Sequence, residues 1–346
     1  FILINFDISL TLITSPKSDC LVSYYVNYKS IGMKTYLFSF ALLLGSLAIS
    51  AQITVKARVY LEGALMNNGN ALSSSGKPLM RDNLRLSPFT NTSYIPLNDP
   101  YKYGHPNFDI TSRYTHVPAN QAASQHQINA TVLDVTGDDA IVDWVFMELR
   151  SPIDSSGIVA TRSCLVQRDG DVVDMDGVSP VLFPTVNGNF FYVALRHRNH
   201  LGAMTKIRDV SQVVDFTSPN TPMYDFGQVS ASLNYTGKSQ NYTVINGYGA
   251  LFAGDFNADG AIKVMGANDD LSSLMFDVIF HSSNATYRGS FDSAIGYFNS
   301  DFNLNSKSKF DNPFDDTNLL YSQIFFYPNN NQLLINFASL VEQLPK

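Results

Sequence analysis

The chain has 346 residues, 45% of them hydrophobic and 15% charged, and its formal net charge at pH 7 is -7. This composition is typical of a globular protein long enough for one sizeable core and a smaller appendage. The acidic balance argues against nucleic acids and anionic membranes as partners, because there is no surplus of basic side chains to displace counterions.

The first methionine, Met33, opens a stretch typical of a secretory signal peptide. A lysine follows it, then a short apolar run, and then small residues before Gln52. This run is too short to span a bilayer comfortably. We therefore expect residues 33–51 to be cleaved from a secreted or cell-surface protein, with no transmembrane segment in the mature chain. Residues 1–32 are interpreted as upstream sequence foreign to the natural protein, or else as a genuine extension with an anchor helix.

Cysteine usage fits export without disulfides. Only Cys164 remains beyond the predicted signal peptide, so no internal disulfide can form. Stability must then come from the core, and bound metal can add to it. Cys164 lies in a strand-like run, which favours a small buried apolar side chain over a reactive thiol, because no neighbour in the sequence would lower its pKa.

Residues 52–215 are predicted to form an antiparallel β-sandwich, which makes the fold class mostly β. Short runs rich in Val, Ile, Phe and Tyr alternate at period two and are separated by Gly, Pro, Asn and Asp. The run 139–150 is apolar on both faces, which predicts a central strand covered on each side.

Two segments interrupt this strand pattern. Residues 67–127 are polar and proline-containing with scattered aromatic side chains, which is typical of a binding loop or of an ordered excursion that covers a sheet edge. Residues 216–250 have too many aromatic side chains for a disordered linker. We interpret them as a connecting segment that packs against its neighbours.

Four aspartates crowd the turn 168–177, at positions 169, 171, 174 and 176. Asp-Gly pairs supply left-handed turn geometry, so a β-hairpin explains the pattern. A third cation site is the alternative interpretation.

His197 and His200 end a predicted strand and enter a loop. Two histidines three residues apart could hold a transition metal or stack on a sugar, yet the sequence offers no third ligand. The simpler prediction is a strand end that faces solvent.

Two segments 46 residues apart carry oxygen side chains at alternate positions. This spacing, with Gly260 at the sixth position of the first copy, is the first half of a calcium loop, because alternate residues of a tight turn converge on one point. A pair of aspartates follows each copy. The predicted Ca²⁺ ligands are Asp255, Asn257, Asp259, the backbone carbonyl of Ala261, Asp269 and Asp270 in the first copy, and Asp301, Asn303, Asn305, Asp315 and Asp316 in the second.

Both copies depart from an ordinary EF-hand, which carries an acid at position twelve, where the first copy has Gly266. The acid pairs arrive later, and each precedes an apolar stripe at helical period. Asp269 and Asp315 therefore have a competing role as helix N-caps. The second copy should bind calcium more weakly, because an asparagine and a serine stand at its fifth and sixth positions.

The half-loop, its duplication and the helices that follow resemble type I dockerins and related calcium modules that end many secreted Bacteroidetes proteins. More of the chain looks like a family of exported Bacteroidetes proteins often labelled hemagglutinin-like. The segments that carry this second resemblance are 59–63, 80–85, 95–101, 143–150, 167–177, 192–202, the repeat and 341–345. The resemblance implies a small α-containing, dockerin-like calcium module over residues 251–346.

The favoured function is non-catalytic adhesion or carbohydrate binding, with glycans or another surface protein as partners. One alternative is a docking module that recruits the front domain to a polysaccharide-degrading assembly. Another is a glycan-active enzyme, since paired carboxylates need not be neighbours in sequence. The chain contains no nucleophile elbow, zinc-protease helix or phosphate loop.

Overall fold

The computed structural model describes residues 52–66, 68, 71–103, 127–184, 186–225, 243–311, 316–327, 330, 332–335 and 340–345. The predicted signal peptide, the sequence before it, residues 104–126 of the irregular segment and Asp315 lie outside these ranges. The described residues belong to one compact unit. The predicted boundaries at 215 and 250 stay predictions.

Strands dominate the described residues, which confirms the mostly β fold class. The strands are β1 (Gln52–Val55), β2 (Ala57–Arg58), β3 (Ile141–Ser151), β4 (Asp154–Gln167), β5 (Asp171–Val173), β6 (Val181–Pro184), β7 (Phe190–His197), β8 (His200–Met204), β9 (Arg208–Asp209), β10 (Val214–Asp215), β11 (Thr243–Ile245), β12 (Tyr248–Ala250), β13 (Ala261–Ile262), β14 (Ala294–Ile295), β15 (Lys307–Ser308) and β16 (Leu340–Val341). The α-helices are α1 (Glu62–Met66), α2 (Pro100–Tyr103), α3 (Asp270–Ile279) and α4 (Asp316–Phe325), and 3-10 turns span Ala130–Asp134 and Gly137–Asp139. None of the helices in the described ranges is long and apolar enough to span a membrane.

Eight strands of the described chain form the main sheet. Their order is β10-β2-β5-β4-β3-β7-β8, with β9 paired to β7. All pairs are antiparallel except β10 with β2. The strand β3 lies between β4 and β7, and its residues 141–150 are all buried. This confirms the central strand predicted from the two-sided apolar pattern.

The described part of the irregular segment covers this sheet. The Tyr101 hydroxyl donates to the carbonyl of Trp144 at 2.9 Å, and the Trp144 indole donates to the carbonyl of Pro96 at 2.8 Å. Met80 and Leu84 are fully buried in the same core. Residues 71–103 are therefore an ordered excursion, but the contacts at Trp144 lie on the inner strand β3, so the segment covers the face of the sheet and not the edge that was predicted.

The predicted hairpin joins β4 to β5, and a second tight turn follows β5. Gly170 and Gly177 have φ of 92° and 78°, the left-handed region that favours glycine. Asp174 pairs with Arg162 at 2.6 Å, and Asp176 accepts hydrogen bonds from two backbone amides of its own turn. Asp169 accepts from the Asp171 amide at 3.1 Å, and Asp171 pairs with Arg58, so all four aspartates have roles in turns or ion pairs.

Cys164 is fully buried in the sheet, and burial raises the pKa of its thiol well above the ordinary value. A thiol held protonated in an apolar core is a poor nucleophile. The structure therefore agrees with the apolar interpretation of this residue.

A second core joins α3 and α4 to the sheet. It contains Ile262, Leu274, Phe302 and Leu320, together with Leu201 from β8. A methyl group added at Gly63 would lie 1.8 Å from the carbonyl oxygen of Phe302, so α1 packs directly on the second repeat. The repeated segments thus pack against both the main sheet and α1.

Candidate metal sites in two repeated loops

The two repeated segments share one backbone conformation. We call residues 255–270 loop one, and residues 301–311 with Asp316 loop two. At the fourth position Ala258 and Leu304 have φ of 52° and 53°, and at the sixth position Gly260 and Ser306 have φ of 81° and 69°. A left-handed serine is uncommon, because only glycine adopts that conformation without strain. The duplication read from the sequence is therefore a duplication of structure.

The first acid of each loop accepts hydrogen bonds from its own turn. In loop two, Asp301 Oδ1 accepts from the Asn305 amide at 3.0 Å and Oδ2 from the Ser306 amide at 2.8 Å. In loop one, Asp255 Oδ2 accepts from the Gly260 amide at 3.1 Å, but Asp255 Oδ1 is buried without a hydrogen-bond partner. Loop one therefore holds a carboxylate oxygen that the protein leaves unsatisfied.

The second acid of each pair folds back into its loop. Asp270 Oδ1 accepts from the Phe256 amide at 2.9 Å, and its Oδ2 accepts from the Lys263 amide at 2.7 Å. In loop two, Asp316 makes the equivalent contacts: it accepts from the amides of residues 302 and 309 at 2.8 and 2.9 Å. Both carboxyls are fully buried, so each closes its loop from the first residue of a helix.

Asp269, the first acid of its pair, has the competing role foreseen from the sequence. It is the N-cap of α3, and its two oxygens accept from the amide and the hydroxyl of Ser272 at 2.7 and 3.0 Å. This bonding directs its carboxylate to the helix and leaves Asp270 to close the loop. Whether Asp315 caps α4 in the same way lies outside the described residues.

The remaining predicted ligands of loop one form the turn. Asn257 Oδ1 accepts from the Asp259 amide at 2.8 Å, and Asp259 Oδ1 accepts from the Ala261 amide at 3.0 Å. Asp259 Oδ2 pairs with Lys263 Nζ at 2.8 Å. Ala261 itself begins β13. The structure therefore brings Asp255, Asn257, Asp259 and Asp270 into one loop.

The remaining predicted ligands of loop two contact the front of the chain as well as their own turn. Asn305 Oδ1 accepts from the Lys307 amide at 2.8 Å. Asn303 Oδ1 instead accepts from Arg81 Nη1 at 3.1 Å. An arginine from the segment that covers the sheet thus reaches an amide that the sequence analysis assigned to calcium.

Loop one is an electrostatically unbalanced site. Burial raises the pKa of Asp255 well above its ordinary value, and Asp270, Glu342 and Asp259 raise it further. Burial also raises the pKa of Asp270 to about 8, against the opposing effect of Lys263. Two buried carboxyls that repel one another favour a bound cation, since a positive charge would return both to the ionised form.

Loop two carries its own positive charge. Burial raises the pKa of Asp301 to about 7, but Arg198 and Arg81 oppose that rise. Burial and the Asp301 charge raise the pKa of Asp316 well above its ordinary value. Two arginines from the front of the chain thus partly balance the negative charge of loop two.

The donors of loop one fit a calcium ion in their chemistry. They are carboxylate and amide oxygens on alternate residues, which a hard cation prefers, and one of them is an unsatisfied buried oxygen. In the ranges that the structure describes, no group of three or more His, Cys, Asp or Glu side chains is spaced to hold a metal ion. A calcium ion here would therefore draw on amide, backbone and water oxygens besides two carboxylates.

The histidine pair is not a solvent-facing strand end, and this prediction was wrong. His197 and His200 are each 1% exposed. Their Nδ1 atoms lie 3.0 Å apart, and His197 Nε2 lies 3.1 Å from Asp143 Oδ2. The cause is the repeat, which covers the turn between β7 and β8: Asn199 Nδ2 donates to the carbonyls of residues 299 and 301 at 2.9 and 2.8 Å.

Sequence reasoning missed a buried charge network between the sheet and the repeat. Asp143 accepts from Arg198 Nε at 3.0 Å and from the Tyr297 hydroxyl at 2.7 Å. Further along β3 and β7, Glu148 pairs with Arg196 at 2.8 Å and with Arg150 at 2.7 Å. The available signal was the presence of charged residues inside a strand predicted to be covered on both faces, since buried charges require partners.

Comparison of the chain with protein-family models, with curated proteins and with solved structures finds no match.

Proposed function

We propose that this protein is an exported, non-catalytic binding protein with a β-sandwich front domain and a dockerin-like module stabilised by calcium. Loop one is the principal calcium site in this proposal, and loop two is weaker. The expected location is the extracellular space or the cell surface. The expected partners are glycans or another surface protein.

The observation that carries the calcium proposal is the buried Asp255 Oδ1, which has no hydrogen-bond partner. A buried polar atom without a partner costs folding free energy, and a buried charge costs more. The fully buried Asp270 adds a second carboxyl to the same loop. A divalent cation would offset both costs at once.

In this proposal Asp255 and Asp270 provide the main charged ligands, and Asn257 and Asp259 provide further oxygens from the turn. Calcium contributes two positive charges to a site whose own lysine, Lys263, pairs with Asp259. Because the ion binds the folded loop and not the unfolded chain, it stabilises the folded state by mass action.

Calcium titration tests this proposal. The intact protein is first treated with EDTA, and calcium binding is then followed by isothermal titration calorimetry and by the midpoint of thermal unfolding. We expect a saturable heat of binding and a midpoint that rises with calcium concentration. Equal midpoints in EDTA and in millimolar calcium, without a heat of binding, would refute the calcium site.

An exposed aromatic patch supports the binding role. The patch consists of Phe276, Phe280 and Tyr287, which are 52%, 65% and 66% exposed. The rings of Phe276 and Phe280 stack at 5.8 Å between centroids, and Tyr287 meets Phe280 edge-on at 6.0 Å. Contiguous apolar surface of this kind marks interaction sites, and flat rings can stack on the apolar face of a sugar.

The glycan proposal is tested on a glycan array. We expect Phe280→Ala to lose the signal of the wild-type protein while calcium binding is retained. Val178→Ala is the matched control, because Val178 is 76% exposed on the hairpin after β5. Equal array signals for the wild type and Phe280→Ala would exclude the patch as the glycan site.

The position of the patch also favours a second candidate function, docking to a partner protein. Phe276 lies on α3 and Phe280 is its C-cap, so the aromatic surface belongs to the first loop–helix repeat. A docking module would present such a surface to a scaffold. Capture by a cohesin domain that depends on calcium and on Phe280 would support this function over glycan binding.

A further inference from the structure

The C-terminal segment, residues 340–345, lies against loop one. Its strand β16 pairs antiparallel with β13, with Val341 opposite Ala261. The Glu342 amide then donates to the carbonyl of Gly260 at 2.8 Å. The segment is therefore attached to the sixth and seventh positions of the loop.

The Glu342 side chain joins this loop to the main sheet. Its two oxygens accept from Arg196 Nη1 at 2.7 and 2.8 Å, and Oε1 also accepts from the Gly202 amide at 3.0 Å. A methyl group added at Gly202 would lie 2.3 Å from Oε1, so the carboxylate packs directly on the strand. Glu342 is 7% exposed, which makes this a buried ion pair.

The same carboxylate borders loop one. A methyl group added at Gly260 would lie 3.2 Å from Glu342 Oε2. Gly260 also connects this carboxylate to Asp255, because its amide donates to Asp255 Oδ2 at 3.1 Å. Glu342 thus stands between a buried arginine of β7 and the acids of the loop.

We propose that Glu342 is a positioning residue of the loop-one calcium site, which shields the loop from the charge of Arg196 and ties calcium binding to docking of the C-terminal segment. This inference rests on the proposed calcium site of loop one. Without Glu342, Arg196 would retain Glu148 but would present uncompensated positive charge toward the loop. That charge would oppose the binding of a divalent cation.

Docking and binding must then reinforce one another. If the docked segment strengthens calcium binding by some factor, calcium strengthens docking by the same factor.

The first test is calcium titration of charge variants. Glu342→Gln should weaken calcium binding by at least about fivefold, the lower range of measured couplings between sites. Adding Arg196→Gln to that variant should restore most of the affinity, because it removes the charge that Glu342 shielded. Glu342→Asp keeps the charge and should bind nearly as well as the wild type. Arg58→Met, which breaks the partly exposed pair with Asp171, is the control and should leave the affinity unchanged.

A merely structural ion pair predicts a different pattern. In that case Glu342→Gln would lower the free energy of unfolding without a change in calcium affinity, and adding Arg196→Gln would not restore binding. Either result overturns the proposal. If the wild type binds no calcium at all, the proposed function itself fails, and this inference fails with it.

The second test needs no variant. Hydrogen exchange of residues 340–345 in the intact wild-type protein should slow when calcium is added, while exchange in β4, remote in sequence from the loop, should change less. Calcium binding without any change of exchange in the C-terminal segment would overturn the coupling and leave the calcium site standing.

Discussion

Loop one and loop two have the same backbone conformation and different charges. In loop one, burial and neighbouring acids raise the pKa values of Asp255 and Asp270, and Lys263 supplies an opposing charge from within the loop. In loop two, Arg198 and Arg81 from the front of the chain act on Asp301. Duplicated geometry therefore does not imply duplicated chemistry.

This difference gives a physical reason for the predicted weakness of the second site. Asn305 and Ser306, the substitutions inside the loop, predict that weakness from the sequence alone. The structure adds a cause outside it, because Arg81 donates to Asn303 and both arginines compensate Asp301. An acid that already has a protein cation gains less from calcium.

The largest expected effect comes from removing such a cation. Arg198→Met leaves Asp143 and Asp301 buried without their shared arginine, and breaking a buried pair typically costs about 3–5 kcal/mol. Urea unfolding should show this loss both in EDTA and in calcium. Arg58→Met is the matched control, because its pair with Asp171 is about one-third exposed and should cost about 0–1 kcal/mol. Equal losses for the two variants would show that Arg198 does not compensate Asp143 and Asp301.

The next effect separates the two loops directly. Calcium at a hundred times its dissociation constant should stabilise the wild type by about 2.7 kcal/mol. Asp255→Asn should abolish most of this gain, because it removes the orphaned carboxylate oxygen of loop one. In EDTA the same variant should be at least as stable as the wild type, since one buried acid is gone.

Asp301→Asn is the comparison variant for that experiment. It should keep the calcium-dependent gain, because the amides and arginines of loop two already satisfy Asp301. Thermal unfolding in EDTA and in calcium measures both variants. A larger loss of calcium stabilisation for Asp301→Asn than for Asp255→Asn would reverse the ranking of the sites.

These loops could be found from the sequence because their information is local. Alternate oxygen side chains and the residues that follow them lie within sixteen positions of each other, and the strand β3 was visible for the same reason. The separate roles of the two acids could be seen only in the structure: Asp269 caps α3, and Asp270 turns into the loop. Helix periodicity alone allows both arrangements.

The contacts that set the charge of each loop are remote in sequence. Arg81 and Asn303 are 222 residues apart, and Arg196 and Glu342 are 146 apart. The error on His197 and His200 has the same origin, because the strand end looks open until the repeat covers it. A single sequence does not reveal such pairings, since no local periodicity connects them.

The pH dependence of stability should also depend on calcium. Asp270 and Asp301 have pKa values of about 8 and about 7 in the folded protein, well above the ordinary value near 4. Their contribution to stability is complete below the unfolded pKa and is lost as the pH rises through the folded values. Burial lowers the pKa values of His197 and His200, so these two groups raise stability as the pH rises toward about 6.5. The carboxyls therefore dominate above that range, and without calcium the free energy of unfolding should fall between about pH 7 and 8.

Calcium should remove the Asp270 part of this fall and leave the Asp301 part. Urea unfolding at the two pH values, in EDTA and in calcium, measures each part. Asp270→Asn in EDTA should flatten the profile as calcium does. A free energy of unfolding that rises with pH in EDTA would mean that loop one is not an unbalanced acidic site.

The smallest effect concerns the lysine at the ninth position of each loop. Lys263 Nζ pairs with Asp259 Oδ2 at 2.8 Å, whereas Lys309 Nζ reaches Asp292, outside loop two, at 3.5 Å. Lys263→Met should tighten calcium binding, because the lysine competes with the ion for Asp259. Partly exposed pairs are worth about 0.2–1 kcal/mol, so the expected gain is up to about fivefold. Calorimetric titration should show no such gain for Lys309→Met, and equal gains from the two variants would mean that general surface charge, rather than competition inside loop one, controls the affinity.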